Sequence, residues 1–78
     1  MIINIKDTLT LDDNNQYVVV SKINYDNKIY YCLINNSSNT NLKFCIEENE
    51  ELVEIVDSEL IVKLLPLFIE AAKKEIDD

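Results

Sequence analysis

The chain contains no glycine, no histidine and no tryptophan, and all seven of its basic residues are lysines. Each absence removes a class of chemistry. Without histidine there is no imidazole metal ligand, and neither a Ser–His–Asp nor a Cys–His pair can form. Without glycine there is no Gly-rich phosphate loop. Cysteine is scarce too: Cys32 and Cys45 are not spaced as Cys-x-x-Cys, and neither has an Arg or His beside it in sequence to activate a thiolate. Two thiols fall short of a metal site, and no carboxylates are spaced to complete one. The expectation is a protein without cofactor, metal or catalytic residues, and without a small-molecule substrate. A third reading, a small enzyme using Cys32 or Cys45, requires an accessible thiol of lowered pKa.

Positive charge is the next shortage. Fifteen acidic side chains face seven lysines, for a net charge of −8. Binding to DNA, RNA or an anionic membrane needs clustered cations, whereas here only Lys73 and Lys74 are adjacent. The acidic balance speaks for solubility or a basic partner. The start, Met1 to Asp7, lacks the basic segment and apolar run of a signal peptide. The apolar stretch from Leu60 to Ile69 is interrupted by Lys63 and is too short for a bilayer. A cytoplasmic location with reduced thiols is the expectation.

What remains is enough for a fold. The chain is 47% hydrophobic over 78 residues. That is one small domain, able to bury only roughly 60–65% of its unfolded surface. The first two thirds favour β-branched and aromatic residues, and the last quarter favours Leu, Ile, Ala, Glu and Lys. This shift predicts a sheet followed by a helix, an α+β fold.

Strands are expected over Ile5–Leu11, Gln16–Tyr25, Lys28–Asn35, Leu42–Glu47 and Glu51–Val56, in meander order. Asp12 to Asn15 reads as an Asx turn. It lacks the glycine of a calcium loop, and Ile23 stands where the bidentate Glu belongs. Asp26-Asn27 fits a two-residue type I′ hairpin with Asn27 at positive φ. Asn36 to Asn41 forms the next loop, and Glu48 to Glu50 a short turn. The helix begins near Asp57, whose carboxylate can cap the first turn. Leu60, Leu64, Leu67, Phe68, Ala71 and Ala72 form its apolar stripe. Pro66 lies inside and predicts a kink, because it removes an N–H and clashes with the carbonyl of Val62. The end from Ile76 to Asp78 is expected to fray. Leu33, Phe44, Leu60, Leu64 and Phe68 are the expected core.

The Asp26-Asn27 turn sets Ile23 opposite Tyr30 and Ser21 opposite Cys32. A symmetric loop after the third strand sets Cys32 opposite Cys45. One face then carries Tyr17, Val19, Ile23, Tyr25, Tyr30, Cys32, Ile34 and Cys45. The other carries Val18, Val20, Ile29, Tyr31, Leu33, Leu42, Phe44 and Ile46. Both are apolar, and one helical stripe cannot cover both. Either a second chain covers the face left open, or the kinked C-terminus wraps an edge.

The leading functional expectation is therefore a non-catalytic protein–protein interaction module, a homodimer among the possibilities. Its expected surface is Tyr17, Val19, Ile23, Tyr25, Tyr30 and Ile34, with the acidic turn of Glu47, Glu48, Glu50 and Glu51. The four tyrosines have no positive groove in which to stack bases, so they read as sheet packing or protein interface. The alternative is an acidic nucleic-acid mimic that antagonises a DNA-binding or DNA-processing protein through Glu47, Glu48, Glu50, Glu51 and Glu54.

The order Thr8-Leu9-Thr10-Leu11-Asp12-Asp13, Tyr17-Val18-Val19-Val20, Tyr30-Tyr31-Cys32-Leu33, Phe44-Cys45 and Leu64-Leu65-Pro66-Leu67-Phe68 resembles the small acidic YrzB-like proteins of Firmicutes, a domain-of-unknown-function family. Members usually carry glycine in the first turn, where this chain has Asn14-Asn15. The resemblance implies a short cytoplasmic bacterial protein and transfers no catalytic residue.

Overall fold

Two-residue turns that accept positive φ organise the sheet, although the chain has no glycine. A computed structural model describes residues 2–37 and 41–76, the last two of them by backbone alone. Five strands are followed by one helix: β1 (Thr8–Thr10), β2 (Gln16–Tyr25), β3 (Lys28–Asn35), β4 (Leu42–Glu48), β5 (Glu51–Glu54) and α1 (Ser58–Ile76). The strands form one antiparallel meander in the order β1-β2-β3-β4-β5. Asp26 and Asn27, at φ 54° and 64°, turn β2 into β3. Asn49 and Glu50, at 50° and 64°, turn β4 into β5. Both are the left-handed two-residue loops that match strand twist. The loop expected over Asn36–Asn41 and the frayed end at 76–78 lie partly outside the described residues.

β1 is shorter than the expected Ile5–Leu11. Lys6 has φ 79°, and Asp7 N–H donates to the Asn4 carbonyl at 3.1 Å. The chain turns there before it can extend. β5 ends at Glu54 rather than Val56, though Ile55 N–H still donates to the Phe44 carbonyl at 2.7 Å.

The expected faces need two corrections. Ile23 does face Tyr30 and Ser21 does face Cys32, but the register shifts between Val19 and Ser21. Val20 is the extra residue of a bulge, and a one-residue insertion flips side chains between faces. Tyr17 and Val19 therefore join Leu33 and Tyr31 instead of Ile23 and Tyr30. The second correction is in β4: Cys45 lies opposite Tyr31, and Phe44 opposite Cys32. Cys32 and Cys45 are thus on opposite faces, each a buried free thiol.

The helix covers one face. Leu64 and Phe68 bury against Tyr30, Cys32, Ile46 and Ile55, with Phe44, Leu60 and Ile61 packed beside them. The Phe44 and Phe68 rings are 5.6 Å apart. Ser21, buried under the helix, donates from Oγ to the Phe68 carbonyl at 3.2 Å and so needs no water. Asp57 caps the helix, its Oδ1 accepting from Glu59 N–H at 3.0 Å. Of the expected core, Leu64 and Phe68 are buried here, and Phe44 and Leu60 are half-buried. Leu33 is fully buried on the other face. Leu67, placed in the buried stripe by its spacing, is exposed.

The kink at Pro66 is not shown: one helix runs from Ser58 to Ile76 with Pro66 inside it. Pro66 is on the outer face, and Val62, whose carbonyl loses its donor, is 65% exposed. Water can satisfy that carbonyl, which lowers the cost of the missing bond.

α1 packs on the other face and does not wrap the second one; the chain's own N-terminal segment folds over part of it. Ile3 buries against Tyr17, Val19, Tyr31, Leu33 and Cys45, with Ile5, Leu9 and Leu11 alongside. Lys6 N–H donates to the Val19 carbonyl at 2.8 Å, and Val19 N–H to the Asp7 carbonyl at 2.9 Å. Burying a side chain such as Ile3 contributes roughly 1.5–3 kcal/mol, which sustains a segment with few ladder bonds.

Candidate functional site: a groove on the sheet face away from the helix

The N-terminal segment covers only part of that face. Beside it lies a groove of about 900 Å³. β1 and the turn after it form one wall, through Leu9, Thr10, Leu11, Asp12 and Asp13. β5 forms the other, through Glu51, Leu52 and Glu54. Lys43 and Cys45 of β4 and the side of Ile3 complete it. The alternation of a strand explains the placement: Lys43 and Cys45 share a face, as do Leu52 and Glu54.

Lys43 ties the two walls together. Its Nζ is 3.1 Å from Glu54 Oε1 and 3.7 Å from Asp13 Oδ2. It also stands 5.6 Å from the centre of the Tyr17 ring. Asp13 is held from both ends. Its Oδ1 accepts from Asn15 N–H at 3.0 Å, and its Oδ2 accepts from the Tyr17 hydroxyl at 2.7 Å. These bonds, the backbone one first, lower the Asp13 pKa. Tyr17 is raised, chiefly by its bond to Asp13. Lys43 is raised, chiefly by Glu54.

Both walls of the groove therefore mix apolar and acidic side chains, with Lys43 bridging between them. Leu9, Leu11, Leu52 and Cys45 supply the apolar lining. Asp12, Asp13, Glu51 and Glu54 supply four carboxylates against one lysine, which already shares its charge with two of them. Burial pushes both thiols up to about 11, so each is protonated at neutral pH. Among the described residues, no group of three or more Cys, Asp or Glu is arranged to hold a metal ion. No described helix is long and apolar enough to cross a membrane.

The residues expected to make one interaction surface are dispersed. Tyr17 and Val19 are buried on the groove face, while Tyr30 is buried and Ile23 half-buried under the helix. Tyr25 is exposed at the end of the β2–β3 hairpin, its ring 6.3 Å from that of Tyr30. Ile34 lies opposite Val18, half-buried. Glu47 accepts from the Tyr31 hydroxyl at 2.8 Å. Burial, first, and then Glu47 raise the Tyr31 pKa. Glu48, Glu50 and Glu51 are exposed around the β4–β5 turn, and of these Glu51 alone lines the groove. Asp13 reads from sequence only as part of an Asx turn, and Lys43 is not singled out. The available signal was a lone lysine between the strand residues Leu42 and Phe44.

The chain matches no family model, no curated protein and no solved structure.

Proposed function

We propose that the protein is a non-catalytic protein–protein interaction module that receives an extended segment of a partner in the groove between β1 and β5. The observation that carries this reading is the groove itself, whose walls set apolar side chains beside four carboxylates. β1 and β5 are also the two edges of the sheet, each paired on one side within the meander. An edge strand offers main-chain groups to an added strand, and the side-chain pockets beside it give specificity. The fitting partner alternates apolar residues, which enter the groove, with lysine or arginine, which meet Asp12, Asp13, Glu51 and Glu54. Both buried thiols are raised, which favours a binding role over a nucleophilic one. The nucleic-acid mimic draws less support, because Glu47 and Glu54 are engaged with Tyr31 and Lys43.

The test is a nuclear magnetic resonance titration of the labelled full chain with a synthetic peptide of alternating lysine and valine. Shifts centred on Leu9, Leu11, Cys45 and Leu52 are expected. Glu51→Lys should weaken binding about tenfold, the effect of about 1.4 kcal/mol. No shifts, or equal shifts with a lysine–serine peptide, would refute the reading.

A further inference from the structure

Apolar side chains stand open on the helix, away from the side that packs on the sheet. Val62, Leu65 and Ile69 are 65%, 37% and 55% exposed. Their spacing of three and four residues puts them on one stripe, with Pro66 beside it. Leu64 and Phe68, on the other side, are buried. A surface helix ordinarily has one apolar face; this one has two.

Charges flank the outer stripe in an ordered way. Glu59, Lys63, Glu70 and Lys74 are all exposed, at intervals of four, seven and four, and so share one flank. A second copy laid antiparallel, with the two-fold axis between Pro66 and Leu67, brings Val62 within two residues, about 3 Å along the axis, of Ile69 of the second copy. Leu65 sits between Ile69 and Pro66 of that copy. On the flank, Glu59 comes level with Lys74 of the second copy, and Lys63 with its Glu70. Every charge on the flank meets its opposite. A parallel arrangement puts each charge level with its own duplicate and offers no such pairing.

We propose that the chain forms a two-fold symmetric homodimer through the outer face of α1, the helices antiparallel and centred beside Pro66. This rests on the reading of the protein as an interaction module but uses a different surface from the groove. A two-fold contact needs one self-complementary patch, and this stripe with its flank is one. Three apolar side chains per copy make a small interface beside a standard one of about 800 Å² per partner, so the dimer dissociates on dilution.

Light scattering and sedimentation of the full chain across a concentration series test it, in enough salt to screen the −8 charge of each copy. The wild type should rise toward twice its 9.1 kDa mass. Ile69→Glu should stay monomeric with an unchanged circular dichroism spectrum. Lys63→Glu should raise the midpoint concentration several-fold, because two glutamates then oppose each other. Lys63→Glu combined with Glu70→Lys should bring the midpoint back. A wild type that stays monomeric at millimolar concentration overturns the dimer. A dimer indifferent to Ile69→Glu places the contact elsewhere, and failure of the double swap to recover the midpoint overturns the antiparallel register. Glu51→Lys separates the two surfaces: it should weaken peptide binding in the groove and leave the dimer mass unchanged.

Discussion

Lys22 donates from Nζ to the main-chain oxygen of Ile3 at 3.0 Å, fastening the N-terminal segment to the sheet. The same ammonium stands 5.8 Å from the centre of the Tyr31 ring. The contact joins residues nineteen positions apart and places Ile3 over the apolar face that the helix does not reach. Closing that face this way leaves the groove open beside it.

Ile3→Ala should therefore cost about 2 kcal/mol of stability, the lower range for truncating a buried isoleucine. Ile2→Ala, next to it in sequence but 87% exposed, should change stability by less than about 0.5 kcal/mol. Urea unfolding of the three proteins decides the matter. Equal midpoints for the two variants would show that the segment does not hold the face.

Glu50 is the weak residue of the β4–β5 turn. Its φ of 64° brings Cβ close to the carbonyl, and Glu48 and Glu51 add like charge nearby. Glu50→Gly should stabilise the protein by about 1 kcal/mol, which thermal unfolding reads as a higher midpoint. Asn49→Gly should gain less, since Asn tolerates the left-handed region better.

Asp13 gives the groove a pH dependence of known sign. Its folded pKa lies below the ordinary 3.8, chiefly through the Asn15 amide and then the Tyr17 hydroxyl. Its contribution to stability is thus complete above the unfolded pKa and is lost as pH falls through the lower folded one. A carboxyl-carbon titration should place the Asp13 midpoint below 3.8. Tyr17→Phe should move that midpoint up, and no movement would show that the hydroxyl is not its partner.

Pro66 interrupts the backbone bonding of α1 at an exposed position. Pro66→Ala should raise stability by about 1–3 kcal/mol, restoring the donor to the Val62 carbonyl and removing the ring clash. Amide exchange supplies a second reading: the backbone N–H that the substitution introduces should be protected. Lower stability in this variant would mean that proline packing outweighs the helix bond.

Much of the architecture was legible from local rules. Alternating β-branched runs marked five strands. Asp26-Asn27 marked a left-handed hairpin because Asx residues tolerate positive φ, and Asp57 marked the helix start because its carboxylate can accept from the first turn. Leu64 and Phe68 were readable as core from spacing alone. These features depend on a residue and its near neighbours, so the order of residues carries them.

The faces of the sheet and the groove were decided at a longer range. A bulge at Val20 has no strong residue signature, yet it moves Tyr17 and Val19 to the face of Leu33. The β3–β4 register depends on packing on both faces, and a single-residue difference separated Cys45 from Cys32. Lys43 reads as an isolated strand lysine until Asp13 and Glu54, thirty positions before it and eleven after, meet it. Composition and periodicity determined an acidic α+β chain with more apolar surface than one helix can cover. Only the tertiary structure decided that its own first residues cover part of the remainder, because that choice weighs contacts between segments far apart in the chain.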